Sequence, residues 1–204
     1  MKMLVTGGTG NVGRAVVARL LDEGHTVTVT GRREGVDVGA ATYVSCEVSD
    51  LDRMRELMTG CDAVIHLVGI VPVARPGYEV IRVNVLGTFG VFELASNLGI
   101  RRVVAASSIN ATGCCYGDAQ LPLRYLPIDE DHPVQATDAY SLSKQEMETI
   151  GRYFWERDRI SNVMVRIPSV PSHEAVLAGP GARRRYDGGL VDRLLSMDDR
   201  KLVA

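Results

Sequence analysis

Lys2-Met3-Leu4-Val5-Thr6-Gly7-Gly8-Thr9-Gly10-Asn11-Val12-Gly13 is the stretch that decides the fold. A short apolar run of strand character passes straight into a glycine loop, and the loop opens a helical pattern reaching about Glu23. Glycines at 7, 10 and 13 let the backbone turn tightly, approach a pyrophosphate and pack the helix close to the strand. The first helical turn then offers unpaired N–H groups and the positive end of its dipole to phosphate. Gly7, Thr9, Gly10, Asn11, Val12 and Gly13 are therefore candidate cofactor contacts. A glycine-rich turn without a ligand is the alternative.

Outward from this loop, short apolar runs alternate with longer helical patterns. Strands are predicted at Lys2–Thr6, Thr26–Thr30, Thr42–Cys46, Ala63–Val68, Arg102–Ala106 and Asn162–Arg166. Their nearly continuous Val and Ile content predicts burial on both faces. Helices are predicted at about Val12–Glu23, Leu51–Thr59, Tyr78–Leu98 and Ala139–Arg157, with Gly24 as a helix C′ residue and Asp50 as an N-cap. Alternating strands and helices give an α/β fold with a doubly wound parallel sheet. Two stretches break the rhythm. Ile109–Asp138 carries Gly113, Gly117, Pro122, Pro127 and Pro133 without a period, and a loop this long inside a compact domain is usually functional. After Arg166 the pattern dissolves into Pro168, Pro171, Gly179-Pro180-Gly181 and Arg183-Arg184-Arg185, before a short amphipathic piece at about Leu190–Ser196.

Composition narrows the function classes. The 204 residues are 46% hydrophobic and 24% charged, which is enough for a core and too apolar for a disordered chain. Twenty-three Lys and Arg against 25 Asp and Glu give a formal charge of −2, so there is no basic footprint for nucleic acid or an anionic membrane. No apolar run reaches the roughly 18 residues of a membrane span. With a strand beginning at Lys2 and no room for a signal peptide, the expectation is a cytoplasmic protein. Cys46 and Cys61 read as small buried hydrophobes, whereas the adjacent Cys114 and Cys115, poorly placed to pair with each other, read as an exposed loop tip or as redox-sensing thiols. His25, His66, His132 and His173 lack ligand spacing, so no metal site is expected.

Tyr140 and Lys144 stand at i and i+4 of a predicted helix and project from one face. A phenol titrates near 10, and a cation held beside it favours the phenolate. The pair can therefore shuttle a proton nearer neutral pH. The competing reading is two surface residues of an amphipathic helix. Ser108 falls at the C-terminal end of a strand, where open α/β sheets place their ligands, and its hydroxyl can donate to a substrate oxygen.

These features fall in an order that resembles the short-chain dehydrogenase/reductase superfamily, most closely its extended branch, the NAD-dependent epimerase/dehydratase family. The resemblance rests on Thr6-Gly7-x-x-Gly10-x-x-Gly13, Asp62-Ala-Val-Ile-His66-Leu-Val-Gly69, Asn84-Val-Leu-Gly87-Thr88, Ser107-Ser108 and Tyr140-Ser-Leu-Ser-Lys144. It implies a Rossmann-like, three-layer αβα domain over residues 1–170 and a short C-terminal segment, 171–204, as the remnant of a substrate-binding part. It further implies Ser108, Tyr140 and Lys144 as the catalytic set. Ser108 is preferred over Ser107 because Gly113 follows it by five residues, as in the family, while Ser107 turns into the sheet. By the same resemblance Glu47, Val48, Leu67, Val68, Gly69 and Asn84 join Tyr140 and Lys144 around the cofactor, and Ser108, Asn110, Tyr140 and Ser169 meet the substrate. Asn84 is either a support for the site or a helix-surface residue.

Dehydratases of this family carry an Asp-Glu pair directly after the active hydroxyl, but here those positions are Ile109 and Asn110. Dehydration is disfavoured, and alcohol oxidation or epimerisation remains. Val165-Arg166-Ile167-Pro168-Ser169 and Ser196-Met197-Asp198-Asp199 are loosely similar to uronate dehydrogenases. Arg183–Arg185 either meets a substrate carboxylate or is a solvated charge run. The implied activity is an NAD(P)-dependent oxidoreductase or epimerase acting on a sugar-like hydroxyl. A non-catalytic nucleotide-binding protein or an inactive truncated member is the alternative.

An NAD-preferring site would end its second strand on an acid, about twenty residues past the loop. Gly31 stands there, followed by Arg32 and Arg33, and a guanidinium pairs well with a 2′-phosphate. NADP is favoured over NAD, the alternative being that both arginines face solvent and Glu34 reaches the ribose. Finally, the apolar excess on Tyr78–Leu98 and Ala139–Arg157 exceeds one core-facing stripe and predicts a homodimer through a four-helix interface.

Overall fold

The structure is a computed structural model that describes residues 1–71, 75–113, 123–168 and 170. Six strands, β1 (Lys2–Thr6), β2 (Thr26–Gly31), β3 (Thr42–Ser45), β4 (Ala63–His66), β5 (Arg102–Ser108) and β6 (Ser161–Ile167), form one sheet in the order β3-β2-β1-β4-β5-β6. Every neighbouring pair is parallel. Order reverses between β1 and β4, which puts the switch point, and hence the ligand crevice, at the C-terminal ends of those two strands.

The helices are α1 (Asn11–Asp22), α2 (Leu51–Met58), α3 (Gly77–Ile81), α4 (Gly87–Asn97) and α5 (Ala139–Asp158). Their ends are set by local chemistry. Asp50 caps α2 by accepting the Arg53 N–H at 3.1 Å, and Asp138 caps α5 by accepting from the N–H groups of Tyr140 and Ser141, both at 2.9 Å. Gly24 ends α1 with a positive φ of 75°. The predicted helix at 78–98 is a helical run from Gly77 to Asn97, but Arg82–Leu86 within it is a π turn. Ile109–Thr112 forms a 3-10 turn at the start of the long stretch without hydrophobic period.

One core lies between the sheet and α2, α4 and α5, with Leu4, Val64, Val103 and Ala105 packed against Met54, Met58, Phe92, Ile150 and Phe154. Cys46 and Cys61 belong to it, and burial pushes both thiols up, as small buried hydrophobes should be. A smaller core joins Val17 of α1 to Val5, Val27 and Val29. The expectation that all strands are buried on both faces needs correction. β6 is an edge strand and alternates, and among the described residues Val104, Val163 and Val165 are 37%, 58% and 42% exposed. Much of the apolar excess assigned to the helices is also consumed internally: Val80, Val91, Phe92, Leu94, Met147, Ile150 and Phe154 are buried. Tyr78, Leu86, Leu142, Tyr153 and Trp155 are the large apolar side chains those helices still expose. No described helix is long and apolar enough to cross a membrane. Cys114, Cys115, Ser169, Arg183–Arg185 and the whole segment 171–204 lie outside the described residues.

Candidate active site

Gly7 follows β1 with φ 71°, and its N–H bonds the Thr30 carbonyl at 2.9 Å, tying the loop to β2. A Cβ at Gly13 would stand 2.4 Å from the Gly7 carbonyl oxygen and 2.6 Å from the Gly8 Cα, and one at Gly7 would stand 2.9 Å from the Leu67 carbonyl carbon. Only glycine closes this cradle. α1 starts on Gly10 without a side-chain cap, leaving its first-turn N–H groups for an anion. The donor set fits a dinucleotide pyrophosphate. The Asn11 amide, expected at the cofactor, donates to the Val170 carbonyl at 2.8 Å.

At the end of β2, a Cβ on Gly31 would meet Thr9 Oγ1 at 3.1 Å and Tyr43 Oη at 3.2 Å. A carboxylate-bearing residue is therefore crowded at the position where a ribose acceptor would sit. The Tyr43 hydroxyl donates to the Arg33 carbonyl, fixing the chain just beyond, while the arginine side chains at 32 and 33 are exposed. Glu47 is exposed too. Val48, expected beside the cofactor, buries its side chain in the core, against the space that Gly87 leaves by lacking a Cβ.

The ends of β4 and β5 complete the crevice. Lys144, on the second turn of α5, is 3% exposed. Its ammonium donates to the Ala106 carbonyl at 2.7 Å and lies 5.5 Å from the centre of the Tyr140 ring. Burial pulls the Lys144 pKa down to about 8, with the Glu148 charge acting the other way. Gly69 permits this position, because a Cβ there would stand only 3.2 Å from the ammonium nitrogen. Ser108 ends β5 buried, its Oγ accepting the Asn110 N–H at 3.1 Å, so that its own proton is left to donate. Ser107 points the other way and donates to Glu148 at 2.6 Å. Lys144, with Tyr140 beside it, thus meets the C-terminal end of β5, the strand that ends in Ser108, two strand spacings (roughly 10 Å) from β1 and its glycine loop. An open cavity of about 1000 Å³ between α5 and β6 is lined by Glu148, Arg152, Trp155 and Arg166, but neither Ser108 nor Tyr140 lines it.

Comparison with known proteins fits this geometry. The model of the NAD dependent epimerase/dehydratase family matches residues 3–196. The chain belongs to that family. It is 30% identical to a uronate dehydrogenase of Pseudomonas syringae pv. tomato, over 82% of this chain and 59% of that protein. It is 32% identical to an NAD-dependent glucose-6-phosphate dehydrogenase of Haloferax volcanii, over 84% of this chain and 69% of the relative. Among solved structures, a short-chain dehydrogenase/reductase superfamily protein from Agrobacterium tumefaciens with bound NAD aligns with a TM-score of 0.76 and 27% identity, covering 98% of this chain and 63% of that one. The chain spans about three fifths of the uronate dehydrogenase it matches.

Within this epimerase/dehydratase chain, Asn84 is not a helix-surface residue. It is fully buried in the π turn, where its Oδ1 accepts the Ile70 N–H at 2.8 Å and its Nδ2 donates to the Ile70 carbonyl and to Ser143 Oγ, both at 3.0 Å. It ties the loop after β4 to α5, one residue before Lys144. Sequence reasoning missed the network behind it. Thr88 donates to the Asn84 carbonyl at 2.6 Å, so His66 Nε2 must donate to Thr88 at 3.1 Å, and His66 Nδ1 accepts from Thr6 at 2.7 Å. Burial, reinforced by the Lys144 charge, lowers the His66 pKa to about 3 and keeps the ring neutral. Glu148 was also missed, although its spacing from Tyr140 and Lys144 puts it on the same helix face.

Proposed function

We propose that this chain is the dinucleotide-binding and catalytic part of an NAD(P)-dependent oxidoreductase or epimerase acting on a hydroxyl or carbonyl of a sugar, sugar acid or nucleotide-sugar. The observation that carries the reading is Lys144 buried beside Tyr140 on the sheet edge that also holds the glycine cradle. Structural roles seldom justify burying an ammonium, whereas a proton-transfer phenol needs such a cation close by.

A bound nicotinamide supplies the hydride acceptor or donor. Tyr140, as phenolate, takes the proton from the substrate hydroxyl as the carbon loses its hydride, and returns it when a carbonyl is reduced. The Lys144 charge favours that phenolate, while the Ala106 carbonyl holds the ammonium in place. Ser108 donates its proton to the same substrate oxygen and orients it. Asn110 Oδ1 is, among the described residues, the one buried side-chain polar atom without a hydrogen-bond partner. An acceptor in that position suits a neighbouring sugar hydroxyl. Ile109 and Asn110 supply no carboxylates after Ser108, which favours oxidation or epimerisation over dehydration.

NADP is the favoured cofactor, because Gly31 offers no carboxylate to repel a 2′-phosphate and Arg32 and Arg33 follow it. The working form is a homodimer joined through α4 and α5, where Leu86 and Tyr153 stay exposed beside the partly buried Phe89. A screen of sugars and sugar acids with each cofactor, followed by nicotinamide absorbance, tests the reading. Turnover of at least one free sugar or sugar acid supports it, and a chain that binds neither cofactor contradicts it.

A further inference from the structure

Glu148 is the meeting point of three elements. Its Oε1 accepts the Ser107 hydroxyl at 2.6 Å and Arg166 Nε at 3.0 Å, and its Oε2 accepts Arg166 Nη2 at 2.9 Å. This fork joins α5 to the ends of β5 and β6. Arg166 reaches further, donating to the carbonyls of Asp129 and Glu130 at 3.4 and 3.3 Å. Both partners are only about a fifth exposed, 20% for Arg166 and 19% for Glu148, so water screens the pair weakly. Glu148 also stands one helical turn beyond Lys144, on the face that carries Tyr140.

We propose that Glu148 is a positioning residue of the site, which seats Ser108 through its neighbour Ser107 and, balanced by Arg166, keeps the buried Lys144 ammonium charged. This rests on the reading of Tyr140, Lys144 and Ser108 as the reacting set. The groups that bear on Lys144 are Tyr140 and Glu148 from its own helix and neutral His66 from β4, while Arg166 acts from β6 across Glu148. Removing either member of the pair must therefore move Lys144 in opposite directions. Simple loosening of the structure would hydrate Lys144 and raise its titration in both variants.

The test is the NMR titration of the Lys144 side chain in the unliganded protein, with unfolding measured alongside. Glu148→Gln keeps the shape and an acceptor for Ser107, leaves Arg166 uncompensated, and should lower the Lys144 proton affinity by about tenfold or more. Arg166→Met should raise it. The double variant Glu148→Gln/Arg166→Met, which avoids a buried unpaired charge, should titrate below Arg166→Met alone and covers the case in which Glu148→Gln does not fold. A rise in both single variants, or no difference between Arg166→Met and the double variant, overturns the proposal. Where wild type turns over a substrate, Glu148→Gln should lower kcat by about tenfold with KM within about twofold, as misplacement of reacting groups does. A wild type that turns over nothing contradicts the functional reading, while the titration still decides the role of Glu148.

Discussion

The Lys144 ammonium donates to the Ala106 carbonyl across 2.7 Å, joining the helix that carries Tyr140 to the strand that ends in Ser108. This hydrogen bond holds α5 against the end of β5, and in the proposed mechanism the same lysine carries the charge that favours the Tyr140 phenolate. Structure and chemistry cannot be separated at this residue.

Substitution of Lys144 by Met should consequently harm both turnover and cofactor binding, because it removes the cation and the tie to β5 together. Isothermal titration of cofactor beside steady-state kinetics checks this. A Lys144→Met protein with wild-type cofactor affinity and turnover would refute the assignment.

Gly13→Ala would place a Cβ 2.4 Å from the Gly7 carbonyl, which is backbone on both sides and has nowhere to move. We expect cofactor affinity to fall at least about tenfold, since the pyrophosphate seat depends on that approach. Unchanged affinity in the alanine variant would show that the cradle is not where phosphate binds.

How much of this was legible in the sequence depends on whether the signal was local. Strand β1 and the glycine loop were, because apolar residues followed by three spaced glycines have few other uses. Asp50 and Gly24 marked helix ends for equally local reasons. The π turn was not legible, because it exists to bury Asn84 against Ile70 and Ser143, partners far away in the chain. The exposed face of β6 was misread for a related reason. Val163 and Val165 have strand propensity whether or not anything covers them. The Thr6–His66–Thr88 chain likewise consists of residues whose meaning lies only in their contacts.

His66 gives a pH prediction. Its folded pKa of about 3 lies below the ordinary 6.5, so unfolded chains bind the extra proton in between. The contribution of neutral His66 is complete above pH 6.5 and is lost as pH falls toward 3, at no more than about 1.4 kcal/mol per pH unit. Denaturant unfolding from pH 7 to 5 should show this slope in wild type and a shallower one in His66→Gln. Equal slopes would place the ring's proton elsewhere.

The proposed preference for NADP rests on the residues after β2. Titration of NADP and NAD into wild type and Arg32→Ala should show tighter NADP binding in wild type, weakened by the substitution. Tighter NAD binding, indifferent to Arg32, would reverse the assignment.

Assembly is read most simply by light scattering. A particle of twice the 22.1 kDa chain mass is expected at micromolar concentration, and Leu86→Glu/Tyr153→Glu should return it to one chain. A wild-type monomer would remove the four-helix interface from the account.

Tyr140→Phe tests the central claim most directly, because it removes one oxygen and leaves the ring beside Lys144. With a substrate found in the sugar and sugar-acid screen, nicotinamide absorbance should show turnover falling about 10²-fold or more while cofactor affinity is kept. A Tyr140→Phe protein that turns over substrate at the wild-type rate would contradict the claim that this phenol moves the proton.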